Sequence, residues 1–194
     1  MPPPRLVLFA RYPTAGACKT RLIPALGPAG AAEVHRSLTE RTVAVLRGSG
    51  APVTVAYTGA AADAFAAWLG PDISLVEQAE GDLTARLLAC LNPAPVIFFG
   101  ADTPDLAAHH VAAAMAALTD NDVVIGPAED GGYYLIGMRI ALPELLTDMP
   151  WSTDLVLPET RARLDAIGIA PVLLETLADC DRPEDLARWP GLAA

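Results

Sequence analysis

Short apolar runs alternate along this chain with longer stretches in which apolar residues recur at helical spacing. Leu6 to Ala10 reads as a buried strand, followed by a long helix from about Pro28 to Arg47. Pro52 to Thr58 predicts a second strand, Ala60 to Leu69 an alanine-rich helix and Ile73 to Val76 a short strand. Leu83 to Leu91 predicts a helix whose start is marked by Gly81-Asp82. Pro95 to Gly100 is the strongest buried strand, with a helix from Leu106 to Leu118 behind it. Asp122 to Gly126 and Tyr133 to Met138 predict two more strands. The last third is largely helical, with one late strand at Pro171 to Leu174 and a short helix from Pro183. Pro158, inside the helix expected after Trp151-Ser152-Thr153, should shorten or kink it. Alternation of this kind predicts an α/β protein, a three-layer α/β/α sandwich on a mostly parallel sheet. No linker divides the sequence, so a single domain over residues 1–194 is expected.

Open parallel sheets bind ligands beyond the carboxyl ends of their strands. Three loops fall there: Arg11 to Leu22, then Ala101-Asp102-Thr103-Pro104-Asp105, then Pro127-Ala128-Glu129-Asp130-Gly131-Gly132 leading into Tyr133. Asp102 stands two residues past a buried strand, where a carboxylate faces a cleft without being sealed in the core. Hard divalent cations take oxygen ligands and keep waters, so one or two aspartates suffice. Asp105 reads as a cap of the following helix. In the third loop two acids precede two glycines, which allow close approach of backbone to a ligand.

Composition changes this picture at one residue. Lys19 is the only lysine beside 12 arginines, and a position that keeps an ammonium fits a compact, mobile charge for phosphate. The surrounding sequence is no P-loop, because Cys18 stands where a glycine must precede the lysine, and no G-x-G-x-x-G is present. Arg11, Lys19, Thr20 and Arg21 would therefore reach phosphates with side chains.

The net charge of -10 argues against general nucleic-acid binding. Its distribution is uneven: residues 1–50 carry seven basic side chains against two acidic ones, so the acidity lies in the remainder. A basic loop facing acidic ones suits a metal-bound polyphosphate. Three widely spaced cysteines, Cys18, Cys90 and Cys180, offer neither a zinc spacing nor a disulfide framework. The start Met-Pro-Pro-Pro-Arg is too short and proline-rich for a signal peptide, and no apolar stretch is long enough to span a bilayer. A cytoplasmic protein without membrane contact is expected.

The segments Phe9 to Leu22, Gly81 to Arg86, Gly100 to Leu106, Gly126 to Gly137, Pro150 to Thr153 and Asp179 to Leu186, taken in order, resemble the DUF2064 family. Those are small bacterial glycosyltransferase-like proteins of the nucleotide-diphospho-sugar transferase superfamily. The resemblance implies a GT-A type of α/β fold and a nucleotide ligand bound with Mg²⁺ or Mn²⁺. Two positions depart from the family pattern: Arg11 stands where lysine is common and Ala15 where proline is.

Carried over, the resemblance implies that Lys19 and Arg21, assisted by Arg11, bind the phosphates, and that Asp102 holds the metal. Gly81, Asp82 and Arg86 would sit near the base or ribose, although Asp82 and Arg86, four apart, could equally pair along a helix. Glu129, Asp130, Gly131, Gly132 and Tyr133 would line the acceptor side, closed by Trp151 and Ser152. Asp181 is a second metal candidate, although with Glu184 it also fits a capping box. His35, His109 and His110 are expected at the surface. The implied chemistry is metal-assisted transfer from a nucleotide-activated donor, with Lys19, Asp102 and Asp130 as catalytic candidates. The donor is a nucleotide-sugar or a nucleoside triphosphate, and the acceptor a small molecule. Nucleotidyl transfer with release of pyrophosphate, and nucleotide binding without catalysis, are the alternatives.

Overall fold

The computed structural model describes residues 3–192; Met1 and Pro2 of the amino-terminal run, with residues 193 and 194, lie outside that range. Seven strands form one sheet: β1 (Arg5–Arg11), β2 (Val53–Thr58), β3 (Ser74–Glu77), β4 (Val96–Phe99), β5 (Val123–Pro127), β6 (Tyr133–Met138) and β7 (Val172–Leu173). Their order is β3-β2-β1-β4-β6-β5-β7. All neighbours pair parallel except at β6, which runs antiparallel to both β4 and β5. The chain thus winds outward from β1 to β3, then restarts on the other side of β1 with β4. Loops leaving β1 and β4 diverge at that reversal and open a crevice.

Five helices cover the sheet: α1 (Ile23–Arg47), α2 (Ala62–Leu69), α3 (Leu83–Cys90), α4 (Ala108–Asp120) and α5 (Val156–Ala166). Period-two alternation decides which core each strand residue joins. Leu6, Leu8 and Ala10 of β1 meet residues of α1, α2 and α4 on one face. Val7 and Phe9 meet α3 and α5 on the other. A third cluster joins Leu22, Val34 and Leu38 to Cys180 and Leu192, fastening the carboxy-terminal segment to α1.

Element bounds agree with the sequence pattern within a residue or two. Regular helix in α1 begins at Pro28, because Gly27 breaks it with φ 69° and ψ 170°. Pro158 neither kinks nor breaks α5: the helix starts at Val156, so Pro158 lies in the first turn, where its missing N–H has no intrahelical partner to lose. Asp105 is not the cap of α4, which starts three residues later; it accepts instead from Trp189 Nε1 at 3.0 Å. The surface positions expected for the histidines hold for His109 alone. His35 and His110 are buried, each because a ring nitrogen meets backbone: His35 Nε2 donates to Arg11 O, and His110 Nδ1 accepts from Ala107 N.

Gly126 lies in β5 beneath the Tyr134 ring, and a Cβ there would stand 2.3 Å from Cζ of that ring. The ring is tethered by its hydroxyl, which donates to Glu175 O. Gly126→Ala is therefore expected to cost about 1–3 kcal/mol of stability through overpacking, read as a lowered urea midpoint. An unchanged midpoint would show that the ring yields freely.

Candidate functional site

The carboxyl edge of the sheet carries a cleft of about 850 Å³ at the β1/β4 crevice. Lys19 sits at its floor in left-handed backbone, φ 45° and ψ 42°, immediately before the 3-10 turn Thr20–Leu22. Leu22 is fully buried against Cys180 and the start of α1, which anchors this end of the loop. The Lys19 side chain is only 4% exposed. Its Nζ lies 2.5 Å from Asp102 Oδ1 and donates to Asp181 Oδ1 at 2.6 Å and Cys180 O at 2.8 Å. An ammonium has three protons, so all are engaged. The left-handed backbone at Lys19 accompanies a side chain aimed inward, at the two carboxylates.

Backbone bonds reinforce this junction. Cys180 N donates to Asp102 O at 2.9 Å. The Asp185 carboxylate accepts from Asp181 N and Arg182 N, holding the turn before Pro183–Arg188. The capping box expected for Asp181 and Glu184 is thus displaced by one residue: Arg182 is the N-cap, and Asp181 is left free to receive Lys19.

The electrostatics follow from this packing. Burial pulls the Lys19 ammonium down, but Asp102 and Asp181 outweigh it and hold the group above its ordinary value. Burial pushes the Asp102 carboxyl up, and the Lys19 charge more than reverses that, leaving it below its ordinary value. Asp179 is raised by burial and by the neighbouring Asp130, Asp181 and Asp185. His35, at the cleft wall, is lowered mainly by burial.

Arg11, Arg21, Glu129, Asp130 and Ser152 share the cleft with Lys19, Asp102 and Asp181. Arg21 Nη1 stands 3.7 Å from Asp181 Oδ2. Glu129 is held by a two-bond pair with Arg188, at 2.7 and 3.0 Å, which keeps its carboxyl below its ordinary value. Asp130 accepts from Gly132 N at 2.8 Å, folding the acidic loop on itself. Gly131 has φ 88°, and a Cβ there would stand 2.5 Å from Asp154 O. Its role is close approach, which lets the segment before α5 close over the loop.

A second cavity of about 230 Å³ opens from the same place and shares Asp102, Asp130, Asp179 and Asp181 with the cleft. Gly132, Tyr133, Trp151 and Ser152 line it. Trp151 Nε1 donates to Thr84 Oγ1 at 2.8 Å and the ring meets Tyr133 edge to face.

Gly81, Asp82 and Arg86 line neither cavity. Asp82 caps α3 by accepting from Ala85 N. Arg86 donates to Gly81 O and Gln78 Oε1 and makes no ion pair with Asp82. Sequence reasoning missed Asp179, Asp185, Arg182 and Arg188 as cleft residues. The only signal was their position in or beside the segment that contains Asp181.

Asp102 and Asp181 supply the carboxylate oxygens that hard divalent cations take, and each keeps one oxygen beyond the Oδ1 that meets Lys19. A separate group, His109, His110 and Glu175, also brings three ligand atoms within 4.8 Å of one another. There His110 Nδ1 accepts the Ala107 N–H, so Nε2 carries the proton and faces Glu175 at 3.3 Å. Ligation by that ring would require breaking the cap of α4. Among the described residues, no helix is long and apolar enough to cross a membrane.

Comparison with known proteins places this architecture. No curated protein matches the sequence. The "putative nucleotide-diphospho-sugar transferase" of Desulfovibrio desulfuricans G20 is 30% identical, with a TM-score of 0.88 over 96% of this chain and 85% of its own. Rv0371c of Mycobacterium tuberculosis H37Rv, solved in complex with manganese, is 17% identical with a TM-score of 0.57, covering 96% of this chain and 97% of its own. A CMP:2-keto-3-deoxy-manno-octonic acid synthetase complexed with CTP is 15% identical with a TM-score of 0.59, covering 97% and 98%. These two share the fold. Residues 42–153 match the family described as "Uncharacterized protein conserved in bacteria (DUF2064)", and the chain belongs to that family.

Proposed function

We propose that this protein is a metal-dependent transferase that takes its transferred group from a nucleotide-activated donor. The observation that carries the reading is the Lys19 junction, where Asp102 and Asp181 converge on one cation at the floor of a cleft whose walls bear Arg11, Arg21 and Arg182. Support also comes from the likeness to the Desulfovibrio desulfuricans protein.

In this reading Arg11 and Arg21 hold the donor phosphates by charge-assisted hydrogen bonds. Asp102 and Asp181 would hold Mg²⁺ or Mn²⁺, which supplies neutralisation of the charge that builds on the phosphates in the transition state. Lys19 positions those two carboxylates and offsets their repulsion. Asp130, at the join of the two cavities, takes the proton of the attacking acceptor. Trp151 and Ser152 wall the acceptor side and exclude water.

The direct test is thermal shift and turnover with a panel of sugar nucleotides and nucleoside triphosphates, with and without Mn²⁺. A rise in melting temperature that needs both nucleotide and metal is expected. No rise with any member of the panel would sink the reading. Asp102→Asn should lower turnover by about 10²-fold or more, since it weakens the carboxylate hold on the metal that would neutralise the phosphates; turnover within twofold of the parent would remove Asp102 from the chemistry.

Lys19→Met leaves two carboxylates without their ammonium and should cost about 1–3 kcal/mol in metal-free buffer. The pH dependence has a fixed sign. Asp102, lowered from 3.8, adds stability above that value and loses it as pH falls through its folded value. Lys19, raised from 10.5, adds stability below that value and loses it only as pH rises through a still higher one. The contribution is therefore flat from about pH 5 to 9 and vanishes in acid. Parent and Lys19→Met stabilities measured by urea should draw together as pH falls below the ordinary Asp102 value and through its lower folded one; a gap constant into acid would assign the difference to packing.

A further inference from the structure

The two cavities meet at four aspartates and differ in the charge they offer beyond them. Arg11, Lys19, Arg21, Arg182 and Arg188 all line the larger one. Among the described residues no arginine, lysine or histidine lines the smaller one; its walls are Phe9, Phe98, Leu83, Leu87, Tyr133 and Trp151. At about 230 Å³ it is below the roughly 300 Å³ at which sites for drug-sized ligands begin, so it accepts a ring or a short chain. A phosphate there would be desolvated against apolar walls and beside carboxylates of its own sign, with no cationic side chain in the lining to offset it. Of the arginines across the join, Arg188 is already neutralised by Glu129.

Resting on the donor reading above, we infer that the smaller cavity is the acceptor site and that its occupant is an uncharged alcohol bearing an apolar ring or short chain. The apolar part packs between Phe9, Phe98 and Trp151, and the hydroxyl lies at the mouth among the aspartates. Its oxygen forms the new bond to the anomeric carbon of the donor sugar. The bond from that carbon to the phosphate oxygen breaks, the electron pair leaves with the nucleoside diphosphate, and the hydroxyl proton passes to Asp130. Nucleotidyl transfer to a phosphorylated acceptor needs a second anion subsite, and the arginines and the lysine at this crevice all line the larger, donor-side cavity. The acceptor chemistry therefore selects glycosyl transfer.

The test pairs benzyl alcohol, 2-phenylethanol and hexan-1-ol with their phosphate monoesters. Binding is read by saturation-transfer NMR, and release of nucleoside diphosphate is followed from UDP-glucose, GDP-mannose and dTDP-glucose with Mn²⁺. The expected result is binding of the alcohols at least tenfold tighter than their esters, with faster release of nucleoside diphosphate. Leu83 is 38% exposed at the cavity wall, so Leu83→Arg tests charge without emptying the core. That variant should weaken the alcohols and gain at least fivefold for the esters, with its melting temperature near the parent value. Esters binding the parent as well as the alcohols would overturn the inference and favour nucleotidyl transfer. Binding of neither class, while a nucleotide with Mn²⁺ still raises the melting temperature, would overturn it and leave the donor reading standing. Alcohol binding without any nucleotide response would support the cavity's chemistry while sinking the donor reading.

Discussion

One ammonium group ties together three parts of the chain that are remote in sequence. Lys19 comes from the loop after β1, Asp102 from the loop after β4, and Cys180 and Asp181 from the carboxy-terminal segment. Asp102, Asp130, Asp179 and Asp181 all face the same small region, and their mutual repulsion would drive these loops apart without a positive charge among them. A lysine suits the place, because three protons on one nitrogen match three acceptors around it. The left-handed backbone at Lys19 is the local cost of turning the side chain inward, and the burial of Leu22 just after it helps to hold that turn.

The sheet explains why opposite charges meet here and separate a few ångströms away. Strand order reverses at β1/β4, so the basic loop after β1 and the acidic loop after β4 leave the sheet side by side. Because β6 runs antiparallel between β4 and β5, the acidic loop that joins β5 to β6 also ends at the carboxyl edge and adds Glu129 and Asp130. Alternation along β1 sends Leu6 and Leu8 to one core and Val7 and Phe9 to the other. The larger cleft thereby inherits the arginines of the first loop, and the smaller cavity inherits Phe9, Phe98 and α3.

Most of this framework was legible in the sequence because it is written in local patterns. Val96 to Phe99 could hardly be anything but a buried strand, and Pro28 marks the regular start of α1 on either reading. The partners of Lys19 were not legible, since they lie 83 and 162 residues away and no periodicity links them. Lys19 stood out by rarity, which pointed to the cleft but not to the carboxylates that hold it. The cap before Pro183 was misplaced by one residue because Glu184 and Asp185 both satisfy a carboxylate-after-turn pattern, and only the fold decides between them. The burial of His35 is equally tertiary, as it depends on the carbonyl of Arg11 passing beside α1. Asp82 and Arg86 carried a motif-like spacing, and the contacts they make are local, in the cap of α3 and the tether to Gln78.

The loop that separates the two cavities has its own physical logic. Gly131 allows Asp154 to approach within a distance that no side chain would permit, and Leu157 N donates to Gly131 O, so the start of α5 is pinned to the acidic loop. Trp151 is pinned in turn by Thr84, whose hydroxyl also donates to Leu146 O. The wall of the smaller cavity is thus fixed from both sides, and Asp130 stands at its rim on a short turn held by Gly132. A carboxylate placed in this way can accept a proton from an occupant of the smaller cavity while facing the cations of the larger one. The same turn that closes the apolar side therefore couples it to the charged side.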